Sequence, residues 1–180
     1  MELIIIGVIV VVLLFVVIGI YNRLVAMRQN VNQGVADIDA QLRQRHDLIP
    51  NLVNTVKGYA THEKTTLEEV IEARNRAAQG GPSSGNEAQL RVALDKLLAL
   101  GEAYPDLKAS ANFQELQSEL ADLEDKLAAA RRYYNQTVYR FNTVQQTFPS
   151  VLVARPFGFH EREFFETDQR DPVNVSFQQA

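Results

Sequence analysis

The most apolar part of the chain is an uninterrupted run of 18 residues, Leu3 to Ile20, without a charged side chain. In helical conformation such a run spans about 27 Å, close to the ~30 Å hydrocarbon core of a bilayer. Lipid offers the backbone no hydrogen-bond partner, so a helix is favoured although valine and isoleucine are abundant. We therefore predict a transmembrane anchor over residues 1–21, with Tyr21 among the lipid headgroups.

The residues that flank this run predict whether it is cleaved and how it is oriented in the membrane. Only Met1 and Glu2 precede it, and no small residues follow it as a cleavage site, so we expect a retained anchor and not a signal peptide. Arg23 and Arg28 lie just after the run. Because basic flanks stay in the cytoplasm, we expect a single-pass protein of the inner membrane with its N-terminus outside and its body in the cytosol.

From residue 22 to about residue 79, apolar residues recur every three or four positions, which predicts an amphipathic helix. The first part of this stripe consists of Val31, Val35, Ile38, Leu42, Ile49, Leu52, Val56 and Tyr59. Pro50 lies within it, and a proline inside a helix costs ~3 kcal/mol. The stripe keeps its phase across Pro50, so we favour one long helix, kinked between His46 and Pro50. Two helices that break there are the alternative.

The rest of the pattern predicts two further helices. Residues 80–85 have the composition of a flexible loop, and Asn86 is the predicted N-cap of a helix that ends near Ala103. After a break at residues 104–106, a seven-residue repeat indicates coiled-coil-like packing of a last helix, which Pro149 should end. The repeat consists of Phe113, Leu120, Leu127, Tyr134, Phe141 and Phe148. We predict an all-α fold, with an elongated antiparallel bundle of three to four long helices over residues 22–147.

Residues 148–180 follow no regular period, and we predict an extended aromatic tail. Its phenylalanines include Phe157, Phe159, Phe164, Phe165 and Phe177. Such rings are unfavourable in water, so the tail should pack on the bundle or on a neighbouring subunit. Gly158 permits a tight turn that directs the rings of Phe157 and Phe159 to one side. This turn is predicted to clasp either the bundle of its own chain or an adjacent copy.

The composition of the chain limits the ligands and the enzymatic activities that it can have. The chain has 18 basic and 22 acidic residues, all but Glu2 beyond the anchor, which argues against nucleic acid and against broad attraction to anionic headgroups. It has no cysteine, which excludes disulfides and thiolate chemistry. His62-Glu63 begins a zinc-protease-like motif, but Thr66 stands where the second histidine is needed. We expect no enzymatic activity, no cofactor and no metal site.

Arg45 occupies a position on the apolar stripe between Leu42 and Ile49. We expect its stem to lie along the seam while its guanidinium pairs with an acid of a neighbouring helix. The functional alternative is that Arg45 sets helix register or a subunit contact.

Several segments together resemble the LemA family of bacterial membrane proteins, and the resemblance covers essentially the whole chain. They are Arg45-His46-Asp47-Leu48-Ile49-Pro50-Asn51-Leu52-Val53, Val56-Lys57-Gly58-Tyr59-Ala60, Phe148-Pro149-Ser150 and Phe157-Gly158-Phe159. The resemblance implies one N-terminal membrane helix, an elongated antiparallel helical body and no established enzymatic activity. It supplies no catalytic residues.

These observations predict a membrane-anchored structural or scaffolding protein that homo-oligomerises through its body and tail and organises or remodels membrane. The expected partners are the lipid bilayer, further copies of the chain and another membrane protein. The candidate residues for assembly or register are Arg45, Pro50, Phe157, Gly158, Phe159, Phe164 and Phe165. The alternative is an adaptor or regulator of another membrane machine, such as a membrane protease.

Overall fold

The computed structural model describes residues 1–81 and 85–165, and every regular element among them is a helix. In chain order these are α1 (Glu2–Tyr59), α2 (Lys64–Gly80), α3 (Gly85–Ala103), the short α4 (Pro105–Lys108), α5 (Ala111–Gln146) and α6 (Ser150–Ala154). The predicted all-α class is confirmed. The predicted tail is described only as far as Phe165, so Phe177 lies outside the described residues.

Helix α1 passes from the apolar segment into the body without interruption. Residues 2–19 are exposed on all sides, and the body first covers the helix at Ile20 and Leu24. Within the part of the chain that the structure describes, α1 is the one helix long and apolar enough to cross a membrane. It has 58 residues and is therefore about 87 Å long.

Pro50 does not end α1, so the alternative of a break between His46 and Pro50 is wrong. A proline cannot donate to the carbonyl four residues earlier, which here belongs to His46. Arg74 of α2 replaces the missing donor, because its Nε donates to the His46 carbonyl oxygen at 3.1 Å. The helix is thus compatible with Pro50 because a neighbouring helix satisfies the freed backbone group.

The prediction of helix from residue 22 to residue 79 is wrong at one place. The chain leaves helical geometry at Ala60 (φ −119°, ψ 62°) and turns before α2 begins at Lys64. Val56 and Ala60 before the turn and Leu67 and Val70 after it are all buried in one cluster. Their spacing suits a continuous helix equally well, so the hydrophobic period alone does not reveal the reversal.

Helices α1 and α5 form the long axis of the body and run antiparallel. Leu24 of α1 shares a hydrophobic cluster with Phe141 of α5, whereas Ile49, further along α1, shares one with Phe113 near the start of α5. Helix α2 packs on α3 and on the distal part of α1, and residues of all three helices share one buried cluster. The end far from the apolar segment is therefore a four-helix bundle, and the membrane end is the α1–α5 pair covered by α6.

Two predicted boundaries and one segment predicted to be irregular need correction. Helix α3 begins at Gly85, so Asn86 lies inside it, and its side chain donates to the Arg76 carbonyl oxygen at 3.1 Å. Helix α5 ends at Gln146, before Pro149, and Phe148 is consequently exposed instead of lying on the heptad seam. A helix, α6, lies in the segment for which no helical period was predicted, because five residues are too few to display one.

Candidate functional site

Arg45 lies at the centre of a buried ion cluster that joins three helices. Its side chain is only 3% exposed. Its Nη1 donates to Glu124 Oε1 of α5 at 2.7 Å, and its Nη2 lies 3.4 Å from Glu87 Oε2 of α3. Glu87 is also buried, whereas the side chain of Glu124 is 43% exposed. The arginine therefore pairs with acids of two neighbouring helices at once.

His46 extends the cluster on the adjacent position of α1. Its Nε2 is hydrogen-bonded to Glu87 Oε1 at 2.9 Å, so one buried carboxylate serves both Arg45 and His46. Arg45 Nε and Nη2 have no hydrogen-bond acceptor among the described residues. For Nη2 the ion pair with Glu87 is then the main compensation for its lost hydration.

The cluster lies at the edge of the packed helices. Arg45, His46 and Glu87 are buried in it, whereas Glu124 reaches the solvent. Among residues 1–81 and 85–165, no group of three histidine or acidic side chains is placed to hold a metal ion. The charged side chains of the cluster join α1, α3 and α5.

The second candidate site is the aromatic turn near the membrane end. Gly158 has a φ of +71°, in the region that favours glycine. The ring of Phe157 lies 5.1 Å from that of Tyr21, and the ring of Phe159 lies 5.7 Å from it, each in edge-to-face geometry. Phe159 also contacts Phe141 of α5, at 6.4 Å. The turn therefore surrounds Tyr21, the residue expected at the headgroups.

A cation completes this aromatic cluster. The guanidinium of Arg28 lies 5.2 Å from the centre of the Phe159 ring, a distance typical of a cation–π contact. Phe159 is buried, whereas Phe157 is more than half exposed. Within this chain, the two rings of the turn thus clasp the junction between the apolar segment and the body.

Beyond the turn, two asparagines of α5 hold the chain in an extended path. Asn142 both accepts from the Arg162 backbone N–H at 2.9 Å and donates to its carbonyl oxygen at 2.8 Å. Asn135 makes the same pair of bonds with Phe165, at 2.8 and 3.1 Å. A side-chain amide thereby takes the place of a neighbouring β-strand. We call Asn135 and Asn142 the amide clamps.

Further contacts hold the same segment. Phe165 packs on Tyr134 at 6.5 Å and lies under Arg131, whereas Phe164 is half exposed. The Tyr134 hydroxyl donates to the Glu163 carbonyl oxygen at 2.9 Å. Burial raises the pKa of Tyr134 and the nearby Arg162 lowers it, with burial the larger effect. The phenol therefore stays protonated as a donor well into alkaline conditions.

The amide clamps were not among the residues predicted from the sequence. Asn135 and Asn142 each follow a heptad residue, Tyr134 and Phe141, and are themselves seven residues apart. That spacing places them in one row beside the α1–α5 seam. A row of asparagines next to an apolar seam was the available signal.

One exposed apolar helix joined to an all-helical body defines a membrane-associated protein of the single-anchor, helical-bundle class. The model of the LemA family matches residues 34–177. The chain therefore belongs to the LemA family.

Curated relatives agree with this assignment. The chain is 26% identical to Protein LemA of Metamycoplasma hominis over 165 residues, covering 89% of this chain and 75% of that protein. It is 22% identical to Magnetosome protein MamQ of Magnetospirillum gryphiswaldense, covering 81% of this chain and 64% of that protein. Magnetosome protein MamQ 2 of Paramagnetospirillum magneticum is 23% identical with the same coverage. None of these names denotes an enzyme.

Proposed function

We propose that this protein is a membrane-anchored scaffold whose copies associate through their helical bodies and exchange their C-terminal tails, and that it organises the membrane that holds them. The anchor would lie in the inner membrane with the body in the cytosol. The similarity to two proteins named as magnetosome proteins supports a role in membrane organisation.

The observation that carries the proposal is how the tail is held. Its extended segment lies on α5, bound by the amide clamps and by ring contacts, and Phe165 is only partly buried against the cluster of Ile38 and Leu127. A segment bound in this way can occupy the same site on another copy without any new type of contact. Anchoring in one plane raises the effective concentration of such copies.

The exposed pair Gln146 and Glu161 provides a direct test of tail exchange. Gln146 Nε2 donates to Glu161 Oε1 at 2.9 Å, so the pair reports whether the tail lies on a given α5. The chain has no cysteine of its own. Gln146→Cys and Glu161→Cys would be made on separate, differently tagged full-length proteins and reconstituted together in vesicles before oxidation.

We expect a disulfide-linked heterodimer that carries both tags. The matched control pairs Gln146→Cys with Val92→Cys, whose side chain is exposed on α3. Up to Phe165, the tail does not bind near Val92, so only random collisions should cross-link this pair. Cross-linking no greater than in this control, with monomers in native mass spectrometry, would contradict the scaffold. A monomer that instead co-purifies one-to-one with another membrane protein would support the adaptor or regulator.

A further inference from the structure

Helix α6 has one face in the body and one face that none of the residues 1–81 and 85–165 covers. Val153 and Ala154 are buried in the cluster that contains Leu24 and into which Ile20 packs. On the other side, three apolar side chains are unusually exposed. They are Phe148 (79% exposed), Leu152 (65%) and Phe157 (55%), which we call the α6 corner.

The α6 corner lies at the level where the apolar segment of α1 ends. Residues 2–19 are uncovered, and Ile20 is the first residue of α1 that the body touches. The ring of Phe157 is 5.1 Å from Tyr21, the next residue along. If the apolar segment crosses the bilayer with Tyr21 among the headgroups, Phe157 therefore lies beside the headgroup layer. Leu152 lies on the short helix whose neighbouring residue Val153 belongs to the cluster that Ile20 contacts.

The charges of this end suit an acidic lipid surface, although the whole chain is acidic. Between residues 3 and 36 and between residues 126 and 165, the chain has eight basic residues and only two acidic ones, Glu161 and Glu163. Residues 37–125, which form the distal part, have nine basic and 16 acidic residues. The half of the body nearer the apolar segment is thus basic, although the net charge of the whole chain is negative.

Two arginines lie near the corner, one in sequence and one in space. Arg155 follows α6 directly, and Arg28 lies over Phe159 beside the corner. Aromatic and aliphatic side chains next to arginine are typical of protein surfaces that lie in the membrane interface. The apolar part enters the acyl boundary while the guanidinium stays with the phosphates.

We propose that the α6 corner is immersed in the headgroup layer of the bilayer that holds the anchor, with a preference for acidic lipids. The protein would then contact the membrane at two points, the span and the corner. This inference rests on the anchoring part of the proposed function but not on tail exchange.

Fluorescence quenching by nitroxide lipids tests the corner in the full-length protein. Leu152→Cys and Val92→Cys have similar exposure, 65% and 58%, and would each carry an environment-sensitive dye. The vesicles would contain phosphatidylcholine with or without phosphatidylglycerol, and a lipid with its nitroxide near the headgroup. Dye on Val17→Cys, in the apolar segment, would report insertion of the anchor.

We expect at least two-fold stronger quenching at Leu152 than at Val92, and a further increase with phosphatidylglycerol. Quenching at Val17 without quenching at Leu152 would overturn the corner alone, whereas no quenching at Val17 would overturn the anchor as well. The dye at Leu152 could instead be blue-shifted but not quenched, and could return to the spectrum of the dye at Val92 when the protein is diluted into excess lipid. This result would mean that a second copy, and not lipid, covers the corner, and it would overturn the proposal. Equal quenching with and without phosphatidylglycerol would overturn the preference for acidic lipid.

Discussion

Replacing Arg45 with methionine removes the centre of the buried ion cluster while keeping an unbranched apolar stem. The variant Arg45→Met leaves the carboxylate of Glu87 buried with His46 as its remaining partner. Glu124 loses the same guanidinium, but its side chain is 43% exposed and water replaces the lost bond. The expected effect therefore comes mainly from Glu87.

The distances and the burial set the size of this effect. Two unit charges at 3.4 Å attract by about 5 kcal/mol at an effective dielectric constant of ~20. Dehydration of the arginine opposes this attraction in the native protein, but dehydration of Glu87 persists after the substitution. Removing one partner of such a buried pair typically costs ~3–5 kcal/mol, and we expect about 3 kcal/mol here because His46 remains.

Urea unfolding of the full-length protein in detergent micelles, followed by circular dichroism, measures the loss. The control is Arg91→Met on the exposed side of α3, which should change the free energy of unfolding by less than ~0.5 kcal/mol. The double variant Arg45→Met/Glu87→Gln should recover about 2 kcal/mol relative to Arg45→Met, because no buried charge remains. If Arg45→Met is as mild as Arg91→Met, or if the double variant is the worse one, the cluster does not act as a buried ion pair.

Two further experiments address packing and topology. Gly101→Ala should lower the free energy of unfolding by about 1–2 kcal/mol, because the new Cβ would lie 2.6 Å from Cε1 of buried Phe113. Gly58→Ala should instead raise it by up to ~1 kcal/mol, because no atom lies within 4 Å of its new Cβ and alanine favours a helix. Urea unfolding compares the two, and equal effects would contradict the packing of α3 on α5. Cysteine at exposed Val92 should resist a membrane-impermeant thiol reagent in intact cells and react after lysis, because the body is proposed to be cytosolic. Labelling of intact cells would reverse the orientation.

The periodic parts of the fold could be predicted from the sequence because burial follows the helical period there. Phe113, Leu120 and Leu127 are buried in α5 as their heptad spacing predicts. The turn after Ala60 could not be predicted in this way, because α2 continues the phase of α1 and no proline marks the reversal. Gly58 lies two residues before it but is itself part of α1. The hydrophobic period therefore predicts which residues of α2 are buried but not where α2 begins.

The candidate sites were also predictable only in part: their local features could be predicted, but their partners could not. An arginine on an apolar stripe needs a buried acid, so the pairing of Arg45 was predictable, but which acids it meets depends on how α3 and α5 lie beside α1. The tight turn at Gly158 was likewise predictable from Phe157-Gly158-Phe159, and its position around Tyr21 was not. Sequence spacing gives the local geometry of a residue, whereas its partner is decided by tertiary packing.

The continuity of α1 makes the direction of the body a direct function of the tilt of the apolar segment. From Ile20 to Tyr59 the helix rises about 60 Å without a joint. Transmembrane helices tilt by ~20° on average, and they tilt further when the hydrocarbon layer is thinner than their apolar length. A tilt of about 20° carries Tyr59 roughly 20 Å sideways. A change in local bilayer thickness would thus change the tilt of α1 and, with it, the lateral position of the distal bundle.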